Sequence, residues 1–366
     1  MKNKDLKYWI ALSKCDFDSI YTVEAYKHFG SIQEVWFAST SDVAKIETIG
    51  LKKASNVSER KQKINPDEAL EEVLSREIKV LTYEDADYPE RLKQIHNAPA
   101  SLFIKGDLGD CNLDKVLAVV GSRKASHYIL DVLGKIIRDL PSPDITVISG
   151  MALGIDTCAH QAALDANLKT IAVLGGGFDF IYPSQNKNLF AKIIDGNGAV
   201  ISEYYPTIEP IAWQFPHRNR IVSGMSKGVL VAEAAEKSGA LITAHLALEQ
   251  NKELMCIPGL LTNPNAKGTN GLIKSGAALI TEAQDIMEAL NWQIEATSPR
   301  QKEKMENKLL DNEQKVYKTL NLEAKSINEI LKETSLSTAE LMVILTSLEL
   351  QGIIKQIPQE KFIRTL

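Results

Sequence analysis

The segment FPHRNRIVSGMSKG, residues 215–228, gathers cationic side chains in a chain whose formal net charge is −5 at pH 7. It places Arg218, Asn219 and Arg220 in succession, and residues 211–232 contain no carboxylate. A guanidinium group forms paired hydrogen bonds with phosphate oxygens, and the lack of neighbouring acids in the sequence favours that use. These residue types and their spacing therefore predict a binding site for a phosphate-bearing ligand.

A second loop, AVVGSRKAS at residues 118–126, follows an apolar run and carries Gly121, Ser122, Arg123 and Lys124. The glycine allows a ligand to approach the backbone, and the arginine can hold phosphate oxygens. The loop lacks the three spaced glycines of a dinucleotide fingerprint, and it is not a Walker A loop. It is either an anion-binding loop or an ordinary strand-to-helix turn with solvated charges.

Two further loops have the same character. In EKSGALITAHLALEQ, residues 236–250, Ser238 and Gly239 stand at the start of an apolar helix, where free N–H groups and the helix dipole favour an anion. The segment TNPNAKGTNGLIKSGAALI, residues 262–280, contains no acid and offers three candidate contacts, Lys267, Gly268 and Asn270. Several such loops together favour one shared phosphate site.

The stretch AVLGGGFDFIYPSQNKNLF, residues 172–190, combines three glycines with aromatic residues and includes Lys187 as a candidate phosphate contact. We expect at least two of Phe178, Phe180 and Tyr182 to belong to the core. An aromatic ring beside a basic groove could also stack on a nucleobase.

Asp156 and His160 lie four residues apart in VISGMALGIDTCAHQAALDA and suggest a catalytic or metal site. We favour a structural interpretation, in which Asp156 faces the positive end of a helix and His160 lies on a helix face. No second His or Cys lies nearby at ligand spacing, and the cysteines at 15, 111, 158 and 256 form no CxxC pair. We therefore expect no metal, no cofactor, no catalytic residue and a reducing, cytoplasmic environment.

A sheet is needed to bring these loops together. Short runs rich in Val and Ile alternate with helical patterns between residues 79 and 291: KVLTY, SLFIKG, VLAVVG, ITVISG, TIAVLG, GAVISEY, GVLVAEA and ELMCIPG. This alternation predicts an α/β fold with a mostly parallel sheet covered by helices on both faces. Ligands of such sheets bind outside the carboxyl ends of the strands, where the glycine-rich and cationic loops begin.

The rest of the chain predicts two flanking domains. Residues 1–78 are predicted to form a helical domain that resembles a helix-hairpin-helix at VAKIETIGLKKASNV, and residues 292–312 a charged linker. Residues 313–366 have the helix and strand order of a winged-helix-like domain. Positions 337–352, its third helix, hold two Glu and no Lys or Arg, which favours packing or partner binding over duplex DNA.

Length and composition support several folded domains, with 366 residues of which 44% are hydrophobic. The negative net charge excludes a protein that coats nucleic acid by overall attraction, so any anion site is built locally. No segment approaches the roughly 18 apolar residues of a membrane span. We expect a cytoplasmic protein with no membrane association.

Several motifs, in chain order, resemble the DNA-processing protein A family (DprA, also called Smf) across residues 80–280: GSRKAS, SGMALGIDTCAH, LGGGFDFIYP, SEYYP, FPHRNRIVSGMS, EAAEKSGALITA and IPG. The resemblance implies an extended Rossmann-like core that binds and protects single-stranded DNA. It implies that a RecA-type recombinase is loaded on this DNA during natural transformation. It also implies a homodimer, and a core that has no established catalytic activity.

Carried over by position, the resemblance implies DNA contacts from the first loop and from the arginine-rich segment, namely Gly121, Ser122, Arg123, Arg218, Asn219 and Arg220. Lys187 and the loop of Lys267, Gly268 and Asn270 correspond to further contacts. The chain departs from the family pattern at residues 127–129, where His-Tyr-Ile stands in place of a Tyr–Gly turn.

Two other functions remain open at this stage. The first is a nucleotide 5′-monophosphate hydrolase of the lysine-decarboxylase-like group, whose PGGxGT loop and following Glu have only a partial counterpart in Glu233 and Glu236. The second is a protein-interaction scaffold whose basic loops bind an acidic partner. Glycine-lined loops argue against the scaffold, because side-chain charge alone would serve a protein partner.

Overall fold

The computed structural model describes residues 5–292, except 110, 112 and 197, and residues 311–364, except 321–324, 335, 351–353 and 358–360. The described residues up to position 292 form one compact unit, and those from position 311 onward form a second. Residues 293–310, most of the predicted linker, lie outside the described residues. The domain limits inferred from the sequence stay predictions.

The first part of the larger unit is helical. Its helices are α1 Leu6–Lys14, α2 Ser19–Phe29, α3 Ile32–Phe37, α4 Thr40–Val43, α5 Gly50–Lys61 and α6 Pro66–Ser75. They pack around Trp9, Leu12 and Ile32, whose side chains are almost completely buried. In the turn before α5, Gly50 has a φ of +65°, a conformation that glycine adopts without strain.

Among the described residues, nine strands form a single sheet in the order β1-β2-β6-β5-β4-β3-β7-β8-β9. The strands are β1 Lys79–Thr82, β2 Ser101–Gly106, β3 Val116–Val120, β4 Thr146–Ser149, β5 Lys169–Val173, β6 Ala199–Ser202, β7 Gly228–Val231, β8 Glu253–Cys256 and β9 Ala278–Leu279. The seven strands β6, β5, β4, β3, β7, β8 and β9 pair with their neighbours in parallel. Strand β2 is antiparallel to both of its neighbours, β1 and β6. The predicted α/β class and mostly parallel sheet are confirmed, and β9 is a strand that the sequence did not indicate.

Helices cover both faces of the sheet. They are α7 Glu90–Lys93, α8 His127–Arg138, α9 Ile155–Asp165, α10 Lys187–Asp195, α11 Gln214–Met225, α12 Gly239–Glu249, α13 Lys267–Lys274 and α14 Ala283–Ala289. Ala118 and Val120 of β3 belong to the buried cluster that contains residues of α11 and α12. Leu117 and Val119 belong to the cluster formed with α8 and α9. This alternation buries both faces of β3, as a central parallel strand requires.

The order of the strands locates a crevice. The chain runs from β3 to β4, β5 and β6 in one direction, and then returns to place β7 on the other side of β3. At such a reversal the loops that follow the two adjacent strands diverge, one above and one below the sheet. The carboxyl ends of β3 and β7 are therefore the point at which this topology forms a ligand site.

The second unit contains helices α15 Asp311–Thr319, α16 Ile327–Thr334 and α17 Thr338–Leu350 and strands β10 Lys325–Ser326, β11 Ile354–Ile357 and β12 Lys361–Arg364. The strands form a small sheet in the order β10-β12-β11. This arrangement confirms the winged-helix-like prediction. No helix in the described parts of either unit has the length and apolar character that crossing a membrane requires.

Candidate nucleic-acid interface

A cleft of about 300 Å³ opens at the carboxyl ends of β3 and β7. The loops after β3 and β4 and the first turns of α11 and α12 line it. It brings together residues predicted from three separate sequence segments, which are Gly121, Ser122, Arg123, Arg218, Asn219, Ser238 and Gly239. The cleft therefore coincides with the topological switch point of the sheet.

Close backbone packing holds the loop after β3 in place. The Ser122 N–H donates to the carbonyl of Glu233 at 2.8 Å. A Cβ atom at Gly121 would lie 2.6 Å from Ile155 Cγ1 and 3.0 Å from the Glu233 carbonyl oxygen. Since real Cβ atoms do not approach other atoms so closely, glycine is required to keep this loop against the start of α9 and the end of β7.

Arg218 is a buried cation at the base of the cleft, with 3% of its surface exposed. Its Nη1 donates to the Gly150 carbonyl at 2.8 Å, and its Nε donates to Asn219 Oδ1 at 3.2 Å. Burial lowers the pKa of this guanidinium to about 10; the negative charge of Asp156 opposes the shift, and the positive charge of Arg123 adds to it. Two cations thus face one cleft, which is the electrostatic condition for binding an anion.

Asp156 is a local counter-charge in the first turn of α9. Its carboxylate accepts the Ala152 N–H at 3.2 Å, and burial raises its pKa although Arg218 acts in the opposite direction. His160 bonds through Nδ1 to the Thr170 hydroxyl at 2.7 Å, and burial lowers its pKa to about 3. The pair does not share a hydrogen bond in the described structure, and His160 stays neutral in the core.

Aromatic rings extend the cleft toward the loop after β5. The Arg123 guanidinium lies 5.6 Å from the centre of the Phe215 ring, and this ring lies 5.4 Å from that of Tyr182. Tyr182 is 54% exposed and Phe180 is 40% exposed, whereas Phe178 is buried. The expectation that at least two of these three aromatics belong to the core is wrong, because the chain after Phe178 turns outward and Tyr182 packs on Phe215.

The first turn of α12 supplies a second favourable feature for an anion. The Ser238 hydroxyl caps the helix by accepting the Ala240 N–H at 3.3 Å. No atom lies within 4 Å of the position that a Cβ at Gly239 would occupy, so the helix start is open toward the cleft. The positive end of an eleven-residue helix and its N-terminal N–H groups favour a phosphate there.

Arg220 does not line this cleft, and its role as a DNA contact stays a prediction. Its guanidinium donates to both carboxylate oxygens of Glu203 at 2.7 and 2.6 Å and to the Asn97 carbonyl at 2.8 Å. Burial alone would raise the pKa of Glu203, but the charge and hydrogen bonds of Arg220 outweigh it and lower the pKa to about 2. Arg220 is therefore half of a buried ion pair.

Gly268 and Asn270 also have structural partners. The Gly268 N–H donates to the Ala234 carbonyl at 2.8 Å. The Asn270 side chain accepts the Gly259 N–H at 3.1 Å and donates to the Gly259 carbonyl at 2.9 Å. These contacts join the first turn of α13 to the loops after β7 and β8. In the described structure, Gly268 and Asn270 therefore hold these two loops in place.

Three predicted lysines, Lys124, Lys187 and Lys267, are exposed and lie outside the set that lines the cleft. Lys187 and Lys267 begin α10 and α13, which places them at the same edge of the sheet. They stay predicted contacts for a ligand longer than the cleft. Phe215 and Tyr182 were missed as site residues, although Phe215 opens the arginine-rich motif and could have been included.

Comparisons with known proteins agree with the fold and the position of these motifs. Residues 79–291 match the family described as DNA recombination-mediator protein A, and residues 300–360 match the DprA winged helix domain. The chain is 44% identical over 206 residues to the Protein Smf of Escherichia coli, which covers 56% of this chain and 54% of that protein. The chain thus matches about half the length of that relative.

Two solved structures are similar to this chain. The X-ray structure of DNA processing protein A from Streptococcus pneumoniae superposes with a TM-score of 0.69 at 35% identity, over 79% of this chain and 98% of that one. DNA processing protein A from Helicobacter pylori, whose structure was reported for its single-stranded DNA binding mode, superposes with a TM-score of 0.52 at 31% identity. That match covers 58% of this chain and 96% of the other.

Proposed function

Because the chain belongs to the DNA recombination-mediator protein A family, we propose that it binds single-stranded DNA in the cleft between the ends of β3 and β7. The observation that carries the proposal is the contact of Arg123 with Phe215 in the same cleft that the buried Arg218 lines. Cations provide contacts to phosphates, and a flanking aromatic ring stacks on a base without regard to sequence. A flexible single strand can present both groups to one narrow cleft.

The test is a fluorescence-anisotropy titration with labelled oligo-dT and with a duplex of equal length. Arg123→Ala removes an exposed guanidinium that lines the cleft, whereas Lys135→Ala removes an exposed cation from the outer face of α8. We expect Arg123→Ala to weaken single-strand binding roughly tenfold, since a charged hydrogen bond contributes about 1.5–3 kcal/mol. Lys135→Ala serves as the control and retains full affinity. If the wild-type protein does not bind oligo-dT in this titration, the proposal is rejected.

The further proposal is that the bound strand is protected and passed to a RecA-type recombinase during natural transformation and recombination. The family description as a recombination mediator supports this step. A nuclease-protection assay measures the first part, and recombinase ATPase activity on strands coated with a single-strand-binding protein measures the second. Stimulation by wild type and none by Arg123→Ala is the expected result, and stimulation by both variants contradicts a mediator that acts through this cleft.

We also propose that the protein acts as a homodimer through the outer edge of the sheet. Strand β9 is the last strand in the sheet order, and Leu279 within it is 49% exposed. Leu260 and Leu261, in the loop after the neighbouring strand β8, are 68% and 90% exposed, and exposed apolar side chains of this size favour an association surface. Light scattering on wild type and on Leu261→Lys tests this, with loss of a dimer in the variant as the expected outcome.

The hydrogen bonds of the Glu233 carboxylate favour a binding function over nucleotide hydrolysis. This carboxylate accepts hydrogen bonds from the Ser126 N–H, the Ser126 hydroxyl and the Asn263 amide at 2.8–3.0 Å. Through these bonds the carboxylate joins the loop after β3 to the loop after β8. Because its oxygens already have these partners, it is poorly placed to act on a ribose. Incubation with nucleoside monophosphates should release no free base; release of base would support the hydrolase.

A further inference from the structure

A second cavity lies at the opposite edge of the sheet, where the parallel strands begin. It has a volume of about 640 Å³, roughly twice that of the cleft, and is lined by the residues just before β7 and β8 and by the ends of α12 and α14. Volumes of about 300–1,000 Å³ are typical of small-molecule sites. No function described so far uses this cavity.

Cations concentrate in its wall. Arg91, Lys227 and Lys252 line it together. Arg91 is fixed by hydrogen bonds to the carbonyls of Leu113 and Asp114 and lies 3.6 Å from the Asp114 carboxylate, an exposed counter-charge. The pKa of Lys252 is lowered by burial and then by the positive charges of Arg91 and Lys227. These cations are therefore close enough to repel one another, and a bound anion would relieve that repulsion.

Hydrogen-bond acceptors of the same cavity are unsatisfied. Asn97 Oδ1 and Gln250 Oε1 are buried and have no hydrogen-bond partner within the described structure. Their amide nitrogens are occupied, since Asn97 Nδ2 lies 3.0 Å from His217 Nε2 and Gln250 Nε2 donates to the Arg220 carbonyl at 3.3 Å. Buried acceptors without partners cost stability unless a donor reaches them. Neither oxygen has accessible surface in this structure, so a ligand that carries N–H or O–H groups would supply that donor once the two amide side chains turn toward the cavity.

We propose that this cavity is a binding site for a nucleoside phosphate. Arg91, Lys227 and Lys252 hold the phosphates, and the free amide oxygens of Asn97 and Gln250 accept hydrogen bonds from the base and the ribose. The exposed carboxylates of Glu249 and Glu253, which also line the cavity, are further acceptors for hydroxyl and amino groups. Leu246 and Leu290 provide apolar surface for the base. Cations together with acceptors and apolar surface fit a nucleotide better than a bare anion.

The experiment is a titration of the full chain with ADP that carries a fluorescent ribose label, followed by competition with ADP, adenosine and inorganic phosphate. Two variants change the cavity in different ways, one through its charge and one through its volume. The double variant Lys227→Gln/Lys252→Gln removes charge and keeps volume, whereas Leu246→Trp fills the space and keeps charge. Lys135→Gln and Arg123→Ala are the controls, at a remote helix and at the cleft. Melting curves accompany each variant.

We expect saturable binding of one ADP per chain, at least tenfold weaker in both cavity variants and unchanged in both controls. ADP should displace the label, and adenosine and inorganic phosphate should each do so at least tenfold less well. The proposal is overturned if binding is absent up to about 1 mM, which corresponds to about −4 kcal/mol. It is also overturned if only Arg123→Ala loses binding, if either cavity variant keeps it with an intact melting curve, or if inorganic phosphate competes as well as ADP.

Discussion

Arg218 and Arg220, two positions apart on α11, are both buried but have different surroundings. Arg220 has a full counter-charge in Glu203, with two short hydrogen bonds between them. Arg218 bonds to the Gly150 carbonyl and the Asn219 amide oxygen, and its guanidinium lines an open cleft. A phosphate therefore adds a partner to Arg218, whereas it would have to displace the carboxylate from Arg220. Of the two, Arg218 is the one suited to bind a ligand.

Arg220→Gln should destabilise the protein strongly at neutral pH. Removing one partner of a buried ion pair leaves Glu203 charged and unpaired, at a typical cost of about 3–5 kcal/mol. The pKa of Glu203 is lowered in the wild type, from 4.5 to about 2, so its stabilising contribution is present above pH 4.5 and is lost as pH falls toward 2. The variant lacks this contribution, and its deficit in melting temperature should shrink between pH 7 and pH 3.

Thermal melts of wild type, Arg220→Gln and Arg123→Gln at both pH values measure this difference. Arg123 is exposed, so its replacement should leave the melting temperature unchanged. A deficit in Arg220→Gln that stays constant from pH 7 to pH 3 would show that Glu203 does not depend on its partner.

Gly150→Ala should reduce single-strand affinity roughly tenfold, because it displaces the Arg218 guanidinium. A Cβ at Gly150 would lie 2.4 Å from Arg218 Nη2 and 2.8 Å from Asp156 Oδ2, so the side chain has to move out of the base of the cleft. The loss corresponds to about 1.4 kcal/mol, close to the lower end of the range for one charged hydrogen bond. Anisotropy titrations measure it. Gly271→Ala is the matched control, since open space surrounds that position, and an equal loss in both variants refutes the role of Arg218.

At the scale of elements, the first turn of α12 affects both the stability of the helix and its affinity for an anion. Ser238 caps the helix and Gly239 faces open space beside the cleft. A negative side chain in the first turn stabilises a helix by about 0.3–1 kcal/mol. The same charge repels a phosphate that would bind at the positive end of the helix. The two effects can therefore be separated by one substitution.

Gly239→Asp should lower single-strand affinity while the melting temperature stays the same or rises. Gly239→Asn, which has nearly the same shape without the charge, should retain most of the affinity. Anisotropy and thermal melts on both variants test the role of the helix start. Equal affinity for Asp and Asn variants would mean that no phosphate reaches α12.

The limits of sequence-based prediction are visible in the same elements. Short runs rich in Val and Ile predicted β1 to β8, because a strand buried on both faces requires continuous apolar residues. The short strand Ala278–Leu279 lacks such a run, and it forms by pairing with β8. Arg220 could not be distinguished from Arg218, since its partner Glu203 lies in a different part of the chain and meets it only in the folded sheet. Residue type placed at least two of Phe178, Phe180 and Tyr182 in the core, whereas Phe180 and Tyr182 are exposed and Tyr182 packs on Phe215.

At the scale of the whole molecule, the sheet separates the two proposed ligand sites. The cleft uses the carboxyl ends of the parallel strands, and the larger cavity uses their beginnings. Helix α11 contributes to both, through Arg218 in the cleft and Arg220 at the cavity. Both sites lie within the larger compact unit, which contains every described residue up to position 292. Single-strand binding should therefore not depend on the winged-helix unit.

A fragment of residues 1–292 should bind oligo-dT with the affinity and the salt dependence of the full chain. Each phosphate neutralised on a single strand contributes about −0.7 to the slope of log K against log salt. Arg123 and Arg218 together should therefore contribute roughly −1.4 to that slope, and any contact from Lys124, Lys187 or Lys267 adds to it. Helix α17 of the other unit contains Glu340 and Glu349 and no Lys or Arg, and it should add nothing to this slope. Titrations at several salt concentrations compare the two proteins, with Arg123→Ala expected to make both slopes shallower by about 0.7. A steeper slope or a clearly higher affinity in the full chain would assign phosphate contacts to the second unit instead.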